Sequence, residues 1–152
     1  LYNRRGMTKN HSLLEDAVKN GDYITYLVSD VDGLKKVNDA YGHEGGDTVI
    51  IRVANALSTA FPKDAVCVRT GGDEFSVFFV HEQPVNVDAM INLVDHFLDD
   101  FNKNSGLPYK AGCSCGYKTA ILKDIKELDD MIKEADEKMY AVKSAKKVVR
   151  KD

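Results

Sequence analysis

Two acidic residues lie where a bound ion or ligand could reach them, because they directly follow two glycines between two apolar runs. In chain order these residues are Gly71, Gly72, Asp73 and Glu74. The runs at 65–68 and 75–80 are rich in β-branched and aromatic residues, which predicts two strands joined by a hairpin. The glycines would form its turn, since glycine adopts positive φ freely and has no side chain to keep a bulky group away from the acids. A solvated turn with no ligand is the alternative that these residues alone leave open.

A second acidic segment ends the apolar run at 23–32, which carries Asp30 and Asp32. Mg²⁺ is usually held by one or two carboxylates together with substrate phosphates and waters. Asp30 and Asp73 could supply such a pair from neighbouring strands. Asp32 precedes Gly33 and could instead cap the helix that follows, because aspartate is favoured where a strand turns into a helix.

Apolar spacing predicts the helices that would position these acids. A first helix at 9–20 serves packing. After the strand at 23–32, two short helices would flank one polar loop that contains Asn38, His43 and Asp47. Asp47 could be no more than the N-cap of the second of these helices.

The second half of the chain predicts an amphipathic helix at 87–101, a strand at 111–117 and a final helix at 128–142. The alternation of small and larger residues at 111–117 is typical of a central strand. After the initial helix the elements follow in the order βααββαβα. This order predicts an α+β fold in which helices flank a mostly antiparallel sheet.

Composition indicates a single domain over residues 1–152, because 152 residues with 43% hydrophobic content can bury one core. The formal net charge of −3 argues against a nucleic-acid partner, which usually needs a clustered basic face. No apolar run approaches the ~20 residues of a membrane span and no secretory signal is visible, so we expect a cytoplasmic domain without direct membrane contact. Leu1 is not an initiator methionine, which predicts a piece of a longer protein, with regulatory domains upstream and room for a membrane anchor.

The three cysteines, Cys67, Cys113 and Cys115, fall inside predicted strands. An odd number of thiols placed in strands favours a reduced core over a disulfide framework. Cys113 and Cys115 would share one face of their strand. No histidine lies close to them in sequence, so we expect no zinc site there.

Residues 69–75, RTGGDEF, together with residues 30–47, resemble the GGDEF family of diguanylate cyclases. The resemblance extends to residues 1–5, to the strand around Ser114 and to residues 135–143, so it covers essentially the whole chain. It implies a ferredoxin-like core related to nucleotidyl cyclases and polymerase palm domains, with the family signature on a β-hairpin.

Members of this family condense two GTP molecules into cyclic di-GMP and two pyrophosphates. Each 3′-hydroxyl attacks the α-phosphate of the other nucleotide. Each domain carries one GTP, so the resemblance implies that turnover requires a homodimer. The alternatives are a regulatory domain that binds GTP or a cyclic dinucleotide without turnover, and a different nucleotide cyclase.

The resemblance also implies which residues perform the chemistry. The metal ligands would be Asp30, Val31 through its carbonyl, Asp73 and Glu74. They would hold Mg²⁺, or Mn²⁺ in its place, at two ions per GTP. Asp73 matches the family's proposed general base, and Lys35 matches the lysine that reaches the phosphates during catalysis.

Substrate contacts are implied at both ends of the nucleotide. Asn38 and Asp47 match the positions that read guanine, because the base needs both a donor and an acidic acceptor. His43 could contact the nucleotide or only order its loop. Gly71 and Gly72 would lie against the substrate.

Lys143 matches a second phosphate-binding lysine, although a solvated lysine on a helix face is its alternative. Lys147 stands where the family usually has an arginine, so the phosphates would lose a bidentate partner. Many members also carry an inhibitory product site, an Arg-x-x-Asp motif just before the signature. Its two positions are Pro62 and Ala65 here, so we expect no such site.

Overall fold

The computed structural model describes the backbone of residues 10–150 and the side chains of residues 10–147. Within the described backbone, five helical segments and four strands follow one another as α1 (His11–Asn20), β1 (Tyr23–Val31), α2 (Leu34–Ala60), β2 (Val66–Arg69), β3 (Glu74–His81), α3 (Val87–Asn104), β4 (Cys113–Ile121), a 3₁₀ turn (Ile125–Glu127) and α4 (Leu128–Arg150). Residues 1–5, which contribute to the family resemblance, lie outside the described residues. None of the described helices is both long and apolar enough to cross a bilayer.

The strands form one sheet in the order β2-β3-β1-β4, and every neighbouring pair is antiparallel. This arrangement confirms the predicted α+β fold and the predicted hairpin, in which Arg69 of β2 lies opposite Phe75 of β3. The two central strands, β1 and β3, carry the two acidic segments. The sheet therefore brings the ends of these segments together.

Helices cover both faces of the sheet. The face under α2 and α3 is formed by Leu27, Val77 and Phe79, which pack against Val49, Val53, Leu57, Val94 and Leu98. The face under α1 and α4 is formed by Ile24, Tyr26, Val28 and Phe78, which pack against Leu14, Leu128, Met131 and Ala135. Because side chains alternate across a strand, burial on both faces explains why β1 is apolar almost throughout.

The two short helices expected after β1 are present, but they meet at a kink without the polar loop expected between them, and α2 denotes both. Gly42 is the residue of α2 with non-helical torsions, at φ 76° and ψ 175°. Residues 43–46, which the sequence placed in a loop, continue as helix. The prediction of an intervening loop was wrong because a glycine at positive φ can redirect the chain from one helix into the next without a loop.

The strand predicted at 111–117 is present as β4, but its predicted central position was wrong, because β4 lies at an edge of the sheet that the described residues form. Its small residues accommodate a helix rather than a second neighbouring strand. A Cβ atom at Gly116 would overlap the backbone nitrogen of Met139 and the carbonyl oxygen of Ala135, both in α4. Glycine at this position lets the backbone of α4 lie directly on β4.

Candidate functional site

The candidate site lies where β1 ends against the β2–β3 turn. Asp30 is paired with Glu74 on β3 and with Ser114 on β4. The backbone N–H of Val31 donates to the carbonyl of Asp73 at 2.8 Å, which ties the turn to the end of β1. The register therefore places Asp30, near the end of β1, beside Asp73, the last residue of the turn before β3.

The turn reaches its shape without the positive φ expected at its glycines. Neither Gly71 nor Gly72 has positive φ. The Arg69 guanidinium closes the turn by donating to the carbonyls of Gly71 and Gly72, at 3.2 and 2.6 Å. A Cβ at Gly72 would meet nothing within 4 Å, so this glycine leaves open space beside Asp73. The expected room for a ligand is present. The expectation that positive φ at these glycines forms the turn was wrong.

Two adjoining clefts meet at this turn. The first, which we call the lysine cleft, has a volume of about 480 Å³ and lies between the β1–α2 connection and the end of α4. The second, which we call the α2 cleft, has a volume of about 440 Å³ and lies between α2 and the hairpin. Leu34, Lys35 and Asp73 line both clefts.

The lysine cleft is strongly cationic. Five lysines and two aspartates line it, and the lysines are Lys35, Lys36, Lys143, Lys146 and Lys147. Three of them, Lys35, Lys143 and Lys147, are the predicted phosphate-binding cations. The clustering of positive charge in a concave surface suits a polyanionic ligand such as a triphosphate.

Two of these lysines are fixed by carboxylates, one partly buried and one buried. Lys143 Nζ donates to Asp30 Oδ2 at 2.6 Å and lies 3.5 Å from the carbonyl oxygen of Val31. Lys146 Nζ donates to Asp32 Oδ2 at 2.9 Å and to the carbonyl oxygen of Cys113 at 2.7 Å. Lys143 is therefore more than a solvated lysine on a helix face.

Asp32 does not cap the following helix, as one interpretation of the sequence allowed. Gly33 is the N-cap of α2, and no side chain caps that end. Asp32 instead accepts hydrogen bonds from Ser114 Oγ at 2.7 Å and from Lys146. It joins the end of β1 to β4 and α4 at the wall of the lysine cleft.

Asp30 is the acid whose ionisation the fold perturbs at this site. Burial raises the pKa of its carboxyl above the usual value, the hydrogen bond and positive charge of Lys143 oppose this increase, and the nearby Asp73 adds to it. One carboxylate oxygen, Asp30 Oδ1, is buried and accepts no hydrogen bond among the described residues. A buried oxygen of this kind needs a cation or a donor.

The donor set fits a divalent cation that takes its remaining oxygen ligands from a bound molecule and from water. Asp30, Asp73 and the Val31 carbonyl supply hard oxygen atoms. No cluster of three or more His, Cys, Asp or Glu side chains able to hold a metal occurs in the described part of the chain. Mg²⁺ accepts one or two carboxylates and takes its other ligands from phosphates and waters, so such a cluster is not required.

Glu74, the fourth predicted metal ligand, contacts the side chain of Thr70 and lines neither cleft. Its Oε2 accepts a hydrogen bond from Thr70 Oγ1 at 2.6 Å, and its side chain is not among those that line the two clefts. Gly71 also lies outside both linings, whereas Gly72 lines the α2 cleft.

The predicted base-reading residues come together in the α2 cleft. Asn38, His43 and Asp47 all line it. Asp47 lies inside α2, five residues beyond the kink at Gly42, so it is not a helix N-cap. A Cβ at Gly46 would overlap the amide oxygen of Asn38, so glycine makes room for that side chain. An amide and a carboxylate thus face the same cleft from opposite sides of the kink.

The sequence interpretation missed three cations of the site: Lys36 and Lys146 in the lysine cleft, and Arg69 in the α2 cleft. Helical spacing could have identified Lys146, because residues three apart on a helix share a face and Lys143 was already assigned to the site. Arg69 belongs to the signature segment, but only the turn geometry shows that its guanidinium holds the glycine carbonyls.

Comparison with known families gives one match over nearly the whole chain. A family model described as "Diguanylate cyclase, GGDEF domain" matches residues 1–148. The probable diguanylate cyclase DgcJ of Escherichia coli (strain K12) is 28% identical over 147 residues, which make up 96% of this chain and 28% of DgcJ. The chain therefore spans little more than a quarter of that relative.

Solved structures share the fold. The active GGEEF domain of a diguanylate cyclase from Vibrio cholerae superposes with a TM-score of 0.76 at 20% identity, covering 94% of this chain and 91% of that one. The GGDEF domain of DgcB from Caulobacter crescentus, solved in complex with c-di-GMP, superposes with a TM-score of 0.71 at 22% identity, covering 91% and 82%. At these identities the likeness is one of fold.

Proposed function

This chain belongs to the GGDEF family of diguanylate cyclases, and from that premise we propose that it condenses two GTP molecules into cyclic di-GMP and two pyrophosphates. The observation that carries the proposal is the position of Asp73. This acid lies where the lysine cleft meets the α2 cleft, beside Asp30 on the neighbouring strand. A nucleotide with its phosphates in the lysine cleft and its base in the α2 cleft would lie beside Asp73 at the point where the two clefts meet.

The guanine base would occupy the α2 cleft. Guanine presents an acceptor at O6 and donors at N1 and N2, so its edge requires a donor and an acidic acceptor. The Asn38 amide can donate to O6, and the Asp47 carboxylate can accept from N1 and N2. Adenine would leave Asp47 facing an acceptor at N1, which a polar site rejects strongly.

The triphosphate would occupy the lysine cleft. Phosphoryl transfer is mainly positioning and neutralisation of charge, with little covalent chemistry for the protein to perform. Lys35 and Lys143 would contact phosphate oxygens, and Lys147 would add charge without the two parallel hydrogen bonds that an arginine gives. Lys35 lines both clefts, so it can reach the phosphates nearest the sugar.

GGDEF cyclases generally use divalent metal ions. Asp30, the Val31 carbonyl, Asp73 and Glu74 would hold Mg²⁺ or Mn²⁺, at two ions per GTP. When bound, such ions stabilise negative charge on the reacting phosphate. Glu74 would have to exchange its contact with Thr70 to join them. Asp73 would accept the proton of the attacking 3′-hydroxyl, as the group between the two clefts.

Turnover would require two copies of the domain. Within residues 10–147, each copy offers one α2 cleft for a base and one lysine cleft for phosphates, so each would hold one GTP. Two copies facing each other in antiparallel orientation would present each 3′-hydroxyl to the α-phosphate of the other nucleotide. In the full-length protein, upstream domains would control this encounter.

A regulatory domain that binds GTP or a cyclic dinucleotide without turnover is the second candidate. The observation that favours it is Lys147, which lines the lysine cleft at a position where the family usually has arginine. Weaker orientation of the triphosphate would lower the rate before it abolished binding.

Incubation of the domain with GTP and Mg²⁺ distinguishes the two candidates. The domain is fused to a dimeric coiled coil to force the encounter of two copies, and the product is identified by mass. We expect cyclic di-GMP from the wild-type fusion. GTP binding without product would support the regulatory domain instead.

The control is Asp73→Asn, which preserves the backbone hydrogen bond with Val31 but removes the negative charge of the side chain. We expect at least about a hundredfold slower turnover, because loss of a catalytic metal contact removes several kcal/mol of transition-state stabilisation. Circular dichroism should show an unchanged fold. Turnover within about threefold of wild type would mean that the active site lies elsewhere.

A further inference from the structure

We propose that the ammonium group of Lys143 stands in the position of a divalent cation when no nucleotide is bound, so that the nucleotide-free site binds metal weakly. This inference rests on the proposed function, which assigns the same oxygen atoms to metal and the same lysine to phosphate. It adds a competition between the two that the assignment alone does not contain.

The contacts of Lys143 carry the inference. Its Nζ lies 2.6 Å from Asp30 Oδ2 and 3.5 Å from the Val31 carbonyl oxygen. These are a carboxylate and a carbonyl that would serve as metal ligands. One ammonium group thus contacts two of the proposed ligands at once, from a helix 113 residues away in sequence.

Burial makes the competition effective. The side chains of Lys143 and Asp30 are 20% and 17% exposed, so water screens their charges poorly. A divalent cation on Asp30 would lie within a few ångströms of the ammonium group and be repelled by it. Metal could bind fully only after Lys143 moved away.

The lysine cleft offers Lys143 a second position. Lys143 also lines this cleft, where it could contact the phosphates of a bound nucleotide. Lys146 on the same helix stays anchored to Asp32 and to the Cys113 carbonyl, so the helix need not move with the lysine side chain. A triphosphate would draw Lys143 from Asp30 and open the oxygen ligands to metal. Binding of metal and nucleotide would then be mutually favourable.

Mn²⁺ titration of the nucleotide-free domain tests the competition, with free Mn²⁺ measured by electron paramagnetic resonance. Lys143→Met keeps most of the side-chain stem and removes the charge. We expect it to bind Mn²⁺ at least about tenfold more tightly than wild type, the change that the loss of one charge-assisted hydrogen bond produces. Lys133→Met, on the exposed surface of the same helix, removes the same charge and should bind Mn²⁺ as wild type does.

Two outcomes would overturn the proposal. One is equal Mn²⁺ affinity in the Lys143 and Lys133 variants. The other is tighter binding that survives when Asp30→Asn is added to Lys143→Met, because the metal would then bind at other residues. Neither measurement uses GTP or turnover, so a catalytically inactive domain still gives a result.

A measurement on wild-type protein covers the case in which the Lys143 variant fails to fold. The nitrogen resonance of the Lys143 side chain is followed while Mg²⁺ is added to saturation. Displacement from Asp30 should shift this resonance. A resonance that stays fixed while metal saturates the site would also refute the competition.

Discussion

Addition of one methyl group at Gly116 should damage both stability and activity, although this residue lines neither cleft of the site. In Gly116→Ala the new Cβ would overlap the backbone of Met139 and Ala135 and lie 2.8 Å from the carbonyl carbon of Lys138. These are backbone atoms of a helix, which cannot avoid the methyl group by changing a rotamer. Helix α4 would have to move away from β4.

The substitution should lower both the stability of the fold and the rate of turnover. Overpacking a well-packed contact costs about 1–3 kcal/mol. For a domain of this length the melting temperature should fall by roughly 3–10 °C. Lys143 and Lys146 lie on the displaced helix, and a displacement of ~1 Å at catalytic groups can lower turnover about a hundredfold.

The assays are thermal unfolding by circular dichroism and the initial rate of cyclic di-GMP formation in the coiled-coil fusion. Gly72→Ala is the matched control for stability, because its Cβ would meet nothing within 4 Å and its backbone has no positive φ. We expect its stability to remain within about 0.5 kcal/mol of wild type. If Gly116→Ala melted like wild type and kept full turnover, our account of the α4–β4 contact would be refuted.

Three further predictions concern the base, pH and product. Asp47→Ala should reduce the preference for GTP over ATP by about tenfold or more in competition binding, and an unchanged preference would remove Asp47 from the base site. Partial desolvation raises the pKa of the Asp95 carboxyl, although this side chain stays exposed, so ionisation destabilises the folded state slightly. The small stability gained by Asp95→Asn in urea denaturation should increase from about pH 3 to pH 7, and a constant gain would contradict this sign. Because Pro62 and Ala65 occupy the positions of the family's inhibitory motif, calorimetry should detect no submicromolar binding of cyclic di-GMP, and tight binding that survives loss of Asp30 and Asp73 would reveal another inhibitory site.

The order of strands and helices could be predicted because it depends on periodic burial. Strand β1 is buried on both faces, and α3 has an apolar stripe, so both leave clear patterns in the sequence. The position of β4 could not be predicted in the same way. A run of small residues shows that something approaches closely, but a second strand and a helix leave the same pattern.

The structure brings most of the predicted charged residues of the site together, and it adds contacts among them that the sequence did not predict. The hairpin and β1 each carry acids at strand ends, and the sheet joins them as expected. The pairing of Lys146 with Asp32 spans 114 residues, and no local pattern encodes such a contact. The same holds for the kink at Gly42, since one glycine in a helical pattern is compatible with a straight helix, a kink or a break.

The division of the site between two clefts has an evolutionary consequence. Asn38 and Asp47 belong to α2, whereas Asp30 and the α4 lysines Lys143 and Lys146 belong to other elements. Under the proposed function, substitutions at Asn38 and Asp47 would therefore change which base is recognised, while Asp30 and the α4 lysines keep their positions and Lys35, at the start of α2, is left unchanged. Relatives of this chain that use another purine nucleotide could arise through a few substitutions on one helix, without rebuilding the reactive centre.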